Sequence, residues 1–275
     1  MRYRYLLVLI ATVVLFSCKK EKSAVINPSQ PPVNPPVTVF LKDIVLSNLP
    51  SPYYHFEYSQ DGKVIFVSFA SELTRYNVVY EGNAIAELRN NILVNKDRII
   101  YSYDEDGKVN IVMYADSTGF VFEDVQFRYE GSKLARLERQ VRRINTGFFT
   151  DKVMTMTYYA DGNLKELTDH RFPVFGQLDQ TFTDRFEQYD DKINVDAFSL
   201  LHNDFFDHLF LLPGVQLQKN NPRRIVRTGD ITFNLDYTYT YNQSGAPLTR
   251  SGDFVYTSGP QAGQHFLLSC IYSYY

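Results

Sequence analysis

The residue with the most chemistry to offer is Cys18. It follows Met1-Arg2-Tyr3-Arg4, an apolar run from Leu6 to Leu15, and then Phe16-Ser17. Cationic, then apolar, then a small residue before cysteine is the order of a bacterial lipoprotein signal. That order makes the Cys18 thiol the acceptor of a lipid and the first residue of the mature chain. From Leu6 to Phe16 the apolar stretch has eleven residues, whereas spanning a bilayer as a helix takes about 20. It is too short to remain as an anchor.

The second cysteine, Cys270, lies in Phe266-Leu267-Leu268-Ser269-Cys270-Ile271-Tyr272. With Cys18 committed to lipid no intramolecular disulfide can form, and the alternating setting predicts a buried structural thiol. Asp104-Glu105-Asp106 clusters carboxylates as a hard cation would want, but Gly107 comes too early for an EF-hand loop, so the run reads as a solvated turn. His202, Asp204 and His208 are metal-ligand types. Asp204 and His208 are four residues apart, but His202 projects about 120° away around a helix. The sequence therefore predicts no metal and no cofactor. It contains no Gly-x-Ser-x-Gly elbow, His-Glu-x-x-His helix or Walker loop, so no catalytic residue is assigned and no enzyme is expected.

The elements that hold these residues begin with a spacer. Residues 18–38 carry Pro28, Pro31, Pro32, Pro35 and Pro36, which cannot pair into a sheet and fit an extended tether or, equally, a disordered stretch with no spacer role. Residues 39–275 show no second break and are read as one large β domain. Removing Arg2 and Arg4 from the 28 basic residues leaves 26 against 31 acidic ones, a net charge of −5. Such a surface offers no field for a phosphate backbone, and nucleic acid is not expected as a partner.

Within the domain one phrase recurs: an aromatic alternation, an acidic or glycine turn, then a basic and an aliphatic residue. Phe56-Glu57-Tyr58-Ser59-Gln60-Asp61-Gly62-Lys63-Val64 and Tyr101-Ser102-Tyr103-Asp104-Glu105-Asp106-Gly107-Lys108-Val109 are the clearest copies. Echoes surround Gly82, Gly131, Gly162, Tyr189 and Gly245. Asp-Gly between alternating runs signals a hairpin, because glycine accepts the positive φ of the turn. Opposite turns are read at Asp116-Ser117-Thr118-Gly119, Asn145-Thr146-Gly147 and Phe172–Gly176. The pattern predicts an all-β antiparallel up-and-down meander of about 14–16 strands that must curl, split into layers or close. The clearest strand is Ile231–Tyr241, apolar at every second position. One segment departs from period two. Phe198, Leu201, Phe205, Leu209 and Leu212 have helical spacing and Pro213-Gly214 ends it, which predicts an amphipathic helix over 195–212 that covers the sheet or plugs a barrel end.

Tyr103-Asp104-Glu105-Asp106-Gly107-Lys108-Val109 resembles the tyrosine-aspartate repeat of Rhs-type shell proteins. The ensemble of lipobox, spacer, Asp-Gly hairpins, helix and Lys219-Asn220-Asn221-Pro222-Arg223-Arg224-Ile225 is similar to a family of uncharacterised lipoproteins with a porin-like β fold. The likeness spans residues 40–275 and implies a prolate, porin-like barrel and an envelope location. It brings no catalytic residues.

These readings converge on a lipoprotein of the Gram-negative cell envelope. It would be held to the outer membrane through Cys18 and act as a non-catalytic binding or scaffolding protein, with a glycan or an envelope protein as partner. Two alternatives stand beside it. One is an integral outer-membrane barrel, suggested by the terminal Tyr272-Ser273-Tyr274-Tyr275 but opposed by Arg98, Asp124, Arg128, Glu138, Arg142 and Arg143 within strand-like runs. The other is a hydrolase with an acidic site in the barrel mouth.

Overall fold

The computed structural model describes residues 39–91, 96–143, 147–173, 176, 178–195 and 211–275. Cys18, the spacer, His202, Asp204 and His208 lie outside the described residues. So do residues 196–210 of the predicted helix, while Val195, Leu211 and Leu212 at its margins are not helical.

The first eight strands are β1 Leu41–Leu46, β2 Tyr54–Tyr58, β3 Val64–Phe69, β4 Thr74–Glu81, β5 Ala84–Asn90, β6 Arg98–Tyr103, β7 Val109–Ala115 and β8 Val121–Glu130. The second eight are β9 Lys133–Arg143, β10 Gly147–Tyr158, β11 Leu164–Arg171, β12 Gln180–Glu187, β13 Arg224–Gly229, β14 Phe233–Tyr241, β15 Pro247–Tyr256 and β16 His265–Tyr274. Each pairs antiparallel with its sequence neighbours, and β1 pairs with β16 to close a sixteen-stranded barrel. Closure removes both sheet edges. Ile231 stands outside β14, partly exposed in the β13–β14 connection, so this strand is two residues shorter than its alternation suggests.

One repeated turn builds the Asp-Gly end. In residues 104–108 the amide of Gly107 donates to the Asp104 carbonyl, and the Asp104 amide donates to the Lys108 carbonyl. The Asp104 carboxylate accepts from the amides of Asp106 and Lys108 at 3.0 and 2.8 Å. Gly107 sits at φ 76°, the left-handed conformation that a type I turn with a following bulge requires. Asp104 is thus consumed in organising its own turn, as the solvated-turn reading expects. Gly62, Gly162 and Gly245 occupy the same place, whereas Gly82 and Gly131 open tighter two-residue connections.

Past each of these turns the register shifts by one residue, between Glu57/Tyr58, Val79/Tyr80, Ser102/Tyr103, Arg128/Tyr129, Thr157/Tyr158 and Thr240/Tyr241. The bulge disrupts the ladder beside the aliphatic residue that follows the turn. The next hairpin supplies a partner for that residue's carbonyl. Tyr80 donates its hydroxyl to Val64, Tyr103 to Ile85, Tyr129 to Val109 and Tyr158 to Leu134, all at 2.7–2.9 Å. Tyr189, Tyr239, Tyr274 and Tyr58 continue the ring onto Leu164, Pro222, Pro247 and Leu41 at 2.5–3.0 Å. The basic residue of the phrase completes it. Lys63, Lys108 and Lys133 lie 4.9–5.6 Å from the ring centroids of Tyr80, Tyr129 and Tyr158, within cation–π range.

The junction of β1 with β16 copies this geometry without a covalent turn. Leu41 pairs with Tyr274, the register shifts before Asp43, and the Tyr275 amide donates to the Phe40 carbonyl.

Apolar residues alternate inward. Phe56, Val67, Leu88, Val112, Val125, Met154, Leu164 and Leu167 are fully buried in one continuous core. Residues 211–217 fill the Asp-Gly end. Leu211, Leu212, Val215 and Leu217 join the core, the Leu211 amide donates to the Tyr101 hydroxyl at 3.1 Å, and the Leu164 amide donates to the Leu217 carbonyl at 2.9 Å. The Asn-Pro segment clamps this plug. The Lys219 and Asn220 amides both donate to the Asn163 side-chain oxygen at 2.8 and 3.0 Å, and the Asn221 side-chain amide donates to Asp190 at 3.2 Å.

The outer face carries polar ladders, with apolar side chains such as Leu267 and Ile271 exposed among them. Arg224 meets Asp236 at 3.1 Å, Arg136 meets Glu138 at 2.9 Å, and Thr168 with Thr183 and Thr240 with Thr249 form cross-strand hydroxyl pairs. Glu87 sits between Arg89 and Arg98. Arg98, Arg128, Glu138 and Arg142, charges that interrupt the strand-like runs in sequence, lie on this wet face. The hydrophobic core is inside, and these polar ladders are outside.

Candidate functional site

Away from the plugged end the interior changes character. Val125 opposes Arg139, Arg139 opposes Lys152, and Lys152 opposes Arg171, so the inward register of buried Val125 carries three cations into the barrel. Tyr114 opposes Glu123, and Asp184 opposes Arg227 in the same way. Because charge cannot be buried alone, these groups pair. Arg139 grips Asp151 through two bonds of 2.9 and 2.6 Å, and Arg227 grips Asp184 through two of 2.7 and 2.6 Å. Arg171 reaches Asp169 at 3.0 Å. Phe182 stands between Arg171 and Arg227, whose guanidinium carbons lie 5.2 and 4.0 Å from its ring centroid.

Burial dominates the electrostatics of this belt. Asp184 is fully buried, and desolvation lifts its pKa above the ordinary carboxylate value even though Arg227 pulls it down. Burial, reinforced by Glu123, drives the Tyr114 hydroxyl well above its ordinary value. Both effects favour neutral forms.

Beside the belt, under β13–β16 and β1, lies an apolar chamber of about 590 Å³. Its walls include Leu235, Tyr237, Phe254, Phe266, Leu268 and Cys270, with Arg250 and Arg227 as its basic groups. Phe254 pairs with Phe266 and Gly252 with Leu268 on the inward register, yet Phe266 and Leu268 each keep 40 % of their surface exposed. Inward-facing apolar side chains stay exposed only where nothing fills the space before them. Gly252 marks the tight side of the wall, because a Cβ there would stand 2.8 Å from the Tyr237 ring. Cys270 lines the chamber and is 3 % exposed, in keeping with a structural thiol.

Of the sequence-predicted sites, Gly62, Gly82, Gly107, Gly131, Gly162 and Gly245 all sit in hairpin turns at positive φ. Among the described residues no group of three or more His, Cys, Asp or Glu side chains comes together as a metal site. The belt and Arg250 were not singled out by sequence. Their signal is parity: Asp184 falls between Phe182 and Phe186, and Arg250 is in step with Phe254 and Tyr256.

The fold and interior define a porin-like closed antiparallel barrel. Several solved structures match it, two of them porin-like proteins. A porin-like protein from Bacteroides uniformis aligns with TM-score 0.57 and 11 % identity over 86 % of this chain and 95 % of its own. A porin-like protein from Bacteroides vulgatus aligns with TM-score 0.57 and 13 % identity over 86 % of this chain and 99 % of its own. At such identities the likeness is one of fold. No protein-family model matches the chain, and no curated protein does.

Proposed function

We propose that this is a lipid-anchored envelope protein that binds a small molecule inside its barrel without transforming it. The lipobox before Cys18 supports the anchor. The observation that carries the binding role is the chamber: inward aromatic and aliphatic side chains left exposed on one wall of a barrel whose core residues are otherwise buried among the described residues. Chambers of this size and lining are usual for small-ligand sites.

The polar outer ladders favour a body standing in water over one embedded in lipid, where an Arg on the bilayer-facing side costs about 2–4 kcal/mol at the midplane. The belt carboxylates Asp151, Asp169 and Asp184 are each held by an arginine, an arrangement that suits structure better than acid–base exchange. Labelled palmitate should enter the wild-type chain in cells and not a Cys18→Ala variant, and equal labelling would remove the anchor. A screen of glycans and small envelope metabolites should give retention without turnover. Turnover would make the protein an enzyme.

A further inference from the structure

The belt holds four carboxylates, Glu123, Asp151, Asp169 and Asp184, against Arg139, Lys152, Arg171 and Arg227. Arg250 is a further cation on the chamber wall. Its strand neighbours are Tyr239 on β14 and Cys270 on β16, neither of which is an acid. Among the described residues its charge is met by the Tyr237 ring, 4.8 Å from the guanidinium carbon, and by no carboxylate. An arginine inside a barrel is costly unless an anion meets it, and among the described residues none does where Arg250 borders the apolar space of the chamber.

We propose that the chamber takes a monocarboxylic acid with an apolar body, its carboxylate forked onto the Arg250 guanidinium and its chain lying against Phe254, Phe266 and Leu268. Guanidinium binds carboxylate through two parallel bonds, a geometry the planar fork matches. The six steps from Arg250 to Tyr256 rise by about 20 Å of strand, room for a medium-length chain running toward the mouth. The uncovered faces of Phe266 and Leu268 supply the apolar contact. The inference deepens the binding role proposed above and rests on it.

The test uses the full lipidated chain in nanodiscs, with decanoate and decanol as probes and empty discs to subtract partition into lipid. Calorimetry should show saturable decanoate binding that Arg250→Gln weakens at least tenfold, while decanol binds both proteins alike. Leu268→Glu, which offers Arg250 an internal carboxylate across the inward register, should also weaken decanoate binding and keeps the test valid if Arg250→Gln fails to fold. Decanoate binding unchanged by either variant, or no decanoate binding to wild type, would overturn the proposal. Decanol binding without decanoate preference would leave a chamber that binds apolar molecules while removing the role of Arg250.

Discussion

The hydroxyl of Tyr103 donates to the carbonyl of Ile85 at 2.7 Å, joining the end of β6 to the start of β5 beside a bulge. The same link recurs around the Asp-Gly end, so the recurring tyrosine is a bracket between neighbouring hairpin units. Tyr103→Phe keeps the ring and orphans the carbonyl. It should cost about 1–2 kcal/mol in denaturant unfolding, and Tyr103→Phe with Tyr158→Phe should sum, because the two brackets share no partner. A loss below a few tenths would demote the bracket to a bystander.

Glycines divide by what stands next to them. Gly107 has φ 76°, and nothing lies within 4 Å of the position a Cβ would take, so Gly107→Ala should cost only the left-handed strain of about 1–2 kcal/mol. Gly229 has φ 110°, and a Cβ there would lie 2.2 Å from the Thr181 carbonyl oxygen. Gly229→Ala should add overpacking to strain, about 3 kcal/mol or more, and loosen β12 from β13. Thermal unfolding of the two variants side by side checks the order.

Arg227 and Asp184 form a buried pair whose halves cannot be removed singly. Arg227→Met should cost about 3–5 kcal/mol, and Arg227→Met with Asp184→Leu should recover much of it. The sign with pH follows from burial. The folded-state pKa of Asp184 is raised, so its contribution is most favourable below the ordinary 3.8 and is lost as pH rises through the folded value. Without Arg227 that loss deepens. The variant should therefore lie nearer to wild type in acid than at neutral pH, and a gap independent of pH would contradict the assignment.

Alkaline unfolding should have a tyrosine signature. Burial pushes Tyr76 and Tyr129 up to about 12, from an ordinary 10. The folded chain then holds protons that the unfolded chain releases, so the tyrosine contribution to stability is constant below pH 10 and is lost from there to about 12. Tyrosinate absorbance should rise in two steps, exposed rings first and the buried tyrosines together with the loss of circular dichroism. A single step at the ordinary value would show Tyr76 and Tyr129 to be solvated.

Much of this was legible in the residues. Asp-Gly turns and period two mark the hairpins because both are local consequences of backbone conformation. Closure was not, since Leu41 against Tyr274 is a pairing of opposite chain ends that no local rule reports. Nor was the tyrosine bracket, which depends on a carbonyl 18 residues away. Charges mislead by position alone: Glu138 and Arg139 are adjacent, yet Glu138 faces out toward Thr150 and Arg139 faces in toward Asp151. Only the parity of Leu137 tells them apart.

Central to the function proposed above is a barrel with its apolar core and paired charges inside and polar ladders outside, standing in water with Cys18 as its membrane anchor. The direct measurement is the behaviour of the chain expressed from Val39 onward in buffer without detergent. A barrel of this kind should give a soluble monomer with the β-rich spectrum and cooperative unfolding of the whole protein. Aggregation relieved only by detergent or lipid, with the β spectrum restored there, would contradict it.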